Sequence, residues 1–415
     1  MRMLKRRVVI TGMGVVSAIG NNTKSFWDSI KMGTCGIDSI TSFDTTKSPV
    51  KLAAEIKSLD SEQYFEARDI KHNARFMLLA RIAAQEAYHM SGLENINIDR
   101  DRFGVFVSSS IGGIEVLEAN QTAFMQTDSP RVSPYLIPST LVNLASGAIA
   151  IDVQAHGSNM AVVTACASGA NSIGEAFLKI QQGSEDVILA GASDAAITPL
   201  SLAGFAAMRA MHTGDDPSRA CIPFDKERSG TVMGEGAGIL VLEDLEHALK
   251  RKATILGEIV GYGTNCDAFS ITSPELEGTT ISKAMHNAID SASVRIEEIN
   301  YINAHGTATV LNDSTESLAI QKVFGAHTKN VLVSSTKSMT GHTLGASGAI
   351  EAIVCLKALQ ENFAPPTINY QSADPKCDLN LVVNKGVDKE LNLVLSNSFG
   401  FGGHNASLIF KKWQA

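Results

Sequence analysis

MAVVTACASGANSIGEAFLKI (Met160–Ile180) passes from an apolar, β-branched run through a knot of small residues into a stretch with Ile173, Phe177 and Ile180 at helical spacing. It reads as a buried strand, a tight turn and a helix, with Cys166 at the turn and near the helix N-terminus. Two readings of that cysteine stay open. Free cysteines are among the most buried residues, so Cys166 can simply finish a core. At a helix start, however, the dipole and unpaired backbone N–H groups favour a thiolate and stabilise an oxyanion on a bound acyl group.

The same alternation recurs along the chain. Short β-branched runs, "RRVVITG", "RFGVFVSSS", "DVILAGA", "AGILVLED", "ILGEIVGYG", "INYINAHG", "NVLVSST", "LNLVLSNS" and "ASLIFKK", alternate with helix-period segments such as "ARFMLLARIAAQEAYHM", "GTTISKAMHNAIDSA" and "GASGAIEAIVCLKALQ". This is an α/β pattern, expected to give a largely parallel sheet covered on both faces. The pattern runs twice, the second time from "GEIVGYGTN", which suggests a duplication with halves at 1–255 and 256–415. No linker rich in Pro or Ser separates them, so a large interface between the halves is expected.

Composition narrows the function. Of 415 residues 44% are hydrophobic and 19% charged, as in a folded globular protein with ample core. A formal net charge of -8, without any Lys/Arg block, gives no footprint for nucleic acid. Cys35, Cys166, Cys221, Cys266, Cys355 and Cys377 follow no CxxC or repeated spacing, so neither a zinc ribbon nor a disulfide framework is indicated, and a reducing compartment fits. No run of about 18 apolar residues is present to span a membrane. The opening "MRMLKRRVVITGMGVVSAIG" reads as strand, glycine turn and helix entry, hence as a mature cytoplasmic N-terminus rather than a signal peptide. Ser17 stands where the third glycine of GxGxxG belongs, which disfavours dinucleotide binding.

Two further segments carry chemistry. "NAHGTATVLNDSTE" sets His305 directly after a strand, and "SSTKSMTGHTLGASGAIEA" sets Lys337 and His342 after another. The carboxyl ends of parallel strands line the binding crevice of an α/β fold, so these groups and Cys166 are expected to converge. Each alone has a bland alternative: a hydrogen-bonded structural histidine, a solvated loop lysine. A Cys/His zinc site is disfavoured because HxH, HExxH and CxxC spacings are all missing. "NSFGFGGHN" (397–405) reads either as a tight hairpin or as a turn that brings backbone N–H groups and an aromatic gate to a ligand.

Together these motifs, with "SSSIGGIEVLE", "PFDKERSGTVMGEGAGILVLED" and "PPTIN", resemble end to end the β-ketoacyl-acyl carrier protein synthases, and in particular the type II elongating members of the thiolase-fold condensing enzymes. The resemblance implies a duplicated five-layer αβαβα fold, a homodimer, an acyl carrier protein as partner, and no cofactor beyond the phosphopantetheine that carries the substrates. It implies Cys166 as acyl-accepting nucleophile, His305 and His342 as the pair promoting decarboxylation, Lys337 as their support and Glu351 as the buried acid beside it. Thr307 and Thr309 match pantetheine contacts, Phe401 the gate that completes an oxyanion hole, Arg209 a carrier-protein contact, and Ile111 and Phe205 the acyl pocket. The chain departs from the family at Ala308, Val310, Leu136 and His404, and "KHNARF" lacks part of the usual basic pattern, which leaves chain length and carrier partner open. Alternatives are a ketosynthase of a polyketide or specialised lipid pathway, and a non-condensing chain-length-factor subunit; the latter typically lacks the cysteine.

Overall fold

A computed structural model describes residues 5–126 and 132–414. Among them ten strands form one sheet: β1 (Val8–Ser17), β2 (Phe103–Ser108), β3 (Asn159–Met160), β4 (Val187–Asp194), β5 (Gly236–Asp244), β6 (Gly257–Cys266), β7 (Tyr301–Asn303), β8 (Leu332–Ser334), β9 (Leu393–Gly400) and β10 (His404–Lys411). The strand order is β8-β7-β9-β10-β6-β1-β5-β4-β2-β3. Outward from the centre, β6-β10-β9-β7-β8 repeats β1-β5-β4-β2-β3, with parallel and antiparallel neighbours in the same places. The halves join where Val8, Val9 and Ile10 pair antiparallel with Ile259, Glu258 and Gly257.

The principal helices are α1 (Arg75–Ser91), α2 (Leu144–Val153), α3 (Ser168–Gln181), α4 (Thr279–Ala292), α5 (Val310–Phe324) and α6 (Ser347–Glu361). Helices α1 and α2 cover the outer face of the first half, and α4 and α5 that of the second. Helices α3 and α6 lie against each other between the halves and touch strands of both, which completes the five layers. Strand alternation feeds adjacent cores: Leu240 and Leu242 point to the central layer, Ile239 and Val241 to α1 and α2. The second half repeats this, with Leu408 and Phe410 central and Ile409 outward.

The repeat reaches individual residues. A Cβ at Gly12 would meet the Ala87 carbonyl oxygen of α1 at 2.1 Å, and one at Gly261 would meet that of Ala288 in α4 at 2.4 Å, so both outer helices press on a glycine. The turns entering α3 and α6 also match. Ala165–Ala167 and Leu344–Ala346 are single 3-10 turns, with Ala165 and Leu344 at φ of 50° and 52°. The two helix starts cross so closely that a Cβ at Gly169 would lie 2.8 Å from Ala349 N, and one at Gly348 would lie 2.8 Å from Ala170 N.

Three expectations are corrected. The sheet is mixed rather than largely parallel, because β5, β1, β6 and β10 run antiparallel to their neighbours; burial on both faces gives parallel and antiparallel strands the same apolar signature. In "TGMGVVSAIG" the turn comes later than Gly12 and Gly14: β1 continues to Ser17, those two glycines make room for α1, and the turn before the helix entry is closed by Gly20 pairing with Ser17. "MAVVTA" is not a buried strand, since β3 is only Asn159–Met160 at the sheet edge, with Met160 43% and Val163 46% exposed.

Candidate active site

Cys166 stands at the seam between the halves, in the turn that runs into α3. The left-handed backbone of Ala165 is strained for a residue with a Cβ, and side chains hold it in place. Ser168 Oγ donates to Ala165 O (2.7 Å) and accepts from Thr164 N (2.9 Å), while Asn171 Nδ2 donates to Thr164 Oγ1 (2.7 Å) and Tyr262 OH to Asn171 Oδ1 (2.8 Å). Burial, with the Asp194 charge adding to it, pushes the Cys166 thiol up to about 12, against the pull of the Lys337 charge and of the Phe401 and Cys166 N–H groups. The helix start beneath it adds a further pull toward thiolate. The resting sulfur is therefore a protonated thiol whose anion the site is built to receive.

His305 follows β7. Its backbone N–H and that of Gly306 both donate to Glu316 of α5, at 2.8 Å each, and Asn397 Nδ2 donates to the same carboxylate at 3.2 Å. His342 is fixed through its backbone, N–H to Val232 O (2.7 Å) and carbonyl to Gly234 N (2.9 Å). The two rings meet edge to face, with centroids 5.4 Å apart, and Phe399 flanks His305 at 5.5 Å. Burial, then the Lys337 charge, then His342 hold His305 well below the ordinary 6.5; burial and Lys337 do the same for His342. Both rings are uncharged near neutral pH.

A hydrogen bond sets the tautomer of His305. Lys337 Nζ can only donate, so His305 Nδ1, 3.4 Å away, is an acceptor and Nε2 carries the proton. Ser347 Oγ lies 2.9 Å from His342 Nδ1 and 3.1 Å from Thr343 Oγ1, and a hydroxyl there serves either tautomer of His342; when Thr343 donates to Ser347 and Ser347 to Nδ1, His342 carries its proton on Nε2. Lys337 is 1% exposed and also pairs with Glu351, whose carboxyl is raised to about 7 by burial against the opposing pull of that lysine.

A cavity of about 320 Å³ brings Cys166, His305 and His342 onto one wall surface, together with Thr307, Thr309, Phe205, Phe401 and the exposed Arg209. Thr307 and Thr309 hydroxyls lie 3.1 Å apart, and Thr309 caps α5. Phe401 stacks on Phe205 with centroids 6.2 Å apart. The "GFGG" stretch meets both of its readings: β9 and β10 pair to Gly400 and His404 as a tight hairpin, and the connecting Phe401 also lines the cavity. Ile111 lies in the apolar cluster that includes Phe205, off the cavity wall. Glu351 is buried behind Lys337 and does not reach the cavity, so it is not a substrate contact.

Glu316, Ser347 and Phe399 were missed from sequence. Glu316 had one legible signal, since it falls in the stripe with Ala319, Ile320 and Val323 that α5 buries, where a carboxylate needs a reason. Among the described residues no group of three or more His, Cys, Asp or Glu side chains could hold a metal ion, and no helix is long and apolar enough to cross a membrane.

Comparison with known proteins places this geometry. Residues 5–248 match the family described as Beta-ketoacyl synthase, N-terminal domain, and residues 256–371 match Beta-ketoacyl synthase, C-terminal domain. A Synechocystis protein named 3-oxoacyl-[acyl-carrier-protein] synthase 2 is 46% identical over 411 residues, 99% of each chain. The structure of a beta-ketoacyl synthase from Burkholderia phymatum superposes with a TM-score of 0.92 at 33% identity, covering 99% of this chain and 100% of that one. A ketosynthase solved in complex with its type II polyketide acyl carrier protein gives a TM-score of 0.89 at 31% identity, covering 99% of this chain and 100% of that one. With both halves matched and a full-length relative at this identity, the chain belongs to the beta-ketoacyl synthase family.

Proposed function

We propose that this chain is an elongating 3-oxoacyl-[acyl-carrier-protein] synthase of fatty-acid synthesis, condensing an acyl group on Cys166 with malonyl-acyl carrier protein. The observation that carries it is one cavity holding a helix-start cysteine together with two uncharged imidazoles, His305 presenting Nε2–H. In the first step Cys166 sulfur attacks the thioester carbonyl while the Phe401 and Cys166 N–H groups receive the oxyanion. The carrier thiolate leaves with the proton that the cysteine gave up. The acyl group thereby moves from one sulfur to another and stays activated.

In the second step malonyl carrier protein loses carbon dioxide, and the electron pair passes to the thioester oxygen as an enolate. His305 and His342 donate to that oxygen through Nε2–H, a role that protonated histidine is not needed for. The carbanion attacks the acyl carbon, the C–S bond to Cys166 breaks, and the thiolate is reprotonated. Every step is acyl transfer or decarboxylation, so the reading calls for no metal or redox cofactor. Thr307 and Thr309 bind the pantetheine arm, and Arg209 meets an acidic carrier surface. Fatty-acid rather than polyketide elongation is supported by 46% identity to the former against 31% to the latter.

The protein acts as a homodimer joined along the β3 edge, where Met160 and Val163 leave an apolar margin. It works in the cytoplasm, where its six unpaired cysteines stay reduced. The test is direct. Intact mass spectrometry after incubation with acyl carrier protein thioesters is expected to find one acyl adduct, absent from Cys166→Ala. An unmodified wild type, or an equally modified variant, would sink the assignment.

A further inference from the structure

Asp194 ends β4 fully buried, and the mechanism above gives it nothing to do. Its carboxylate accepts from five neutral donors on two segments. From the turn after β2 come Ser109 Oγ (2.6 Å), Ser110 Oγ (2.7 Å), Ser110 N (3.1 Å) and Ile111 N (3.3 Å). From the turn after His342 comes Gly345 N, at 2.7 Å. Gly112 N–H in turn donates to Ser109 Oγ (2.8 Å), so the whole Ile111 turn is organised around this one acid.

Its place becomes informative through the internal repeat. Ala165 and Leu344 share the same strained φ, so Gly345 stands in the second turn where Cys166 stands in the first. At the first turn the far half sends the Phe401 N–H to the cysteine sulfur. At the second, the opposite half likewise sends a carboxylate to the Gly345 N–H. A carboxyl oxygen thus fills, in the resting protein, the position that an acyl oxygen takes only during reaction at Cys166. Leu344, the strained residue of that turn, packs in one cluster with Ile111 and Phe205.

Resting on the function proposed above, we propose that Asp194 is a positioning residue. Its carboxylate locks the turn that carries His342 to the turn that carries Ile111, and so couples the acyl-chain wall to the condensation step. A buried carboxylate satisfied by five donors is a rigid tie, whereas an amide of the same shape turns its NH2 toward donors and breaks the tie on one side. The displaced element is the His342 turn or the Ile111 turn; neither carries the nucleophile, and the Cys166 turn feels the change only secondarily, through its contact with the Leu344–Ala346 turn.

The test compares wild type, Asp194→Asn and Ser110→Ala, using six-carbon and sixteen-carbon acyl carrier protein thioesters and malonyl carrier protein. Acylation of Cys166 is followed by intact mass, condensation by carbon dioxide release from preformed acyl-enzyme. For Asp194→Asn, acylation by the short donor is expected within about 3-fold of wild type, condensation about 10-fold slower, and the ratio of short-donor to long-donor rates shifted about 5-fold. Ser110→Ala keeps the carboxylate and is expected to move the same readouts by less, which also decides the matter if Asp194→Asn does not fold. Equal losses in acylation and condensation with an unchanged length ratio, or no change at all, would overturn the inference alone. A wild type that takes no acyl group would overturn the functional reading and this inference with it.

Discussion

Lys337 serves two buried partners at once, the Nδ1 of His305 and the carboxylate of Glu351. Lys337→Met frees the His305 tautomer, so condensation is expected to fall about 100-fold while Cys166 acylation, measured separately, changes little. The same substitution strands Glu351 without its cation and is expected to cost about 3 kcal/mol in urea unfolding. Adding Glu351→Leu is expected to recover part of that stability and none of the activity, because a removed pair is cheaper than a broken one. A double variant no more stable than the single would contradict this account of the pair.

The histidines also fix a pH response. Folded, His305 and His342 titrate well below 6.5; unfolded, they take up protons near that value. The unfolded state therefore binds more protons as pH falls below 6.5, and this contribution to stability is lost on acidification. His342→Gln is expected to lose less stability than wild type between about pH 7 and about pH 5, read from urea midpoints at each pH. Condensation by preformed acyl-enzyme is expected to hold its rate through 6.5 and to decline only at lower pH, since the neutral donors persist there.

Among elements, the outer helices set the tightest constraint. Gly12 and Gly261 occupy equivalent places under α1 and α4, so Gly12→Ala and Gly261→Ala are each expected to destabilise by about 3 kcal/mol in chemical unfolding. A large cost at one site and none at the other would deny their equivalence. The elements themselves were largely legible. Period 3.6 located α1, α3, α4 and α6 to within a residue or two, and short β-branched runs located nine of the ten strands. Direction was not legible, because a strand buried on both faces looks the same whichever way its neighbour runs. Gly12 misled for a related reason: sequence marks a glycine without saying whether a turn or an approaching helix requires it. His305 and His342 were readable through the strand ends they follow and Cys166 through the helix start it precedes, while Glu316 and Ser347 act through contacts that no local spacing encodes.

For the whole molecule, the edge at β3 is the open question of assembly. Its partner strand on one side is β2, through Val105 to Asn159 and Phe106 to Met160, and its other side bears exposed Met160 and Val163. If the proposed dimer forms along this edge, Val163→Asp is expected to convert it to monomer at micromolar concentration in light scattering, since a charge on a desolvated apolar edge opposes association. A wild type that is already monomeric would remove the dimer from the proposal and leave the chemistry of Cys166 untouched.

The crossing of the two helix starts, where a Cβ on either glycine would lie 2.8 Å from the other helix's backbone, has a consequence for how this protein can change. A scaffold made of twin turns held in mutual contact offers one sequence position to two tasks, and here they have parted: sulfur at one, a bare N–H at the other. Divergence at such a crossing is coupled. Any enlargement of either helix start is felt by its twin, so the cysteine's surroundings are free to vary only where the opposite turn yields the room.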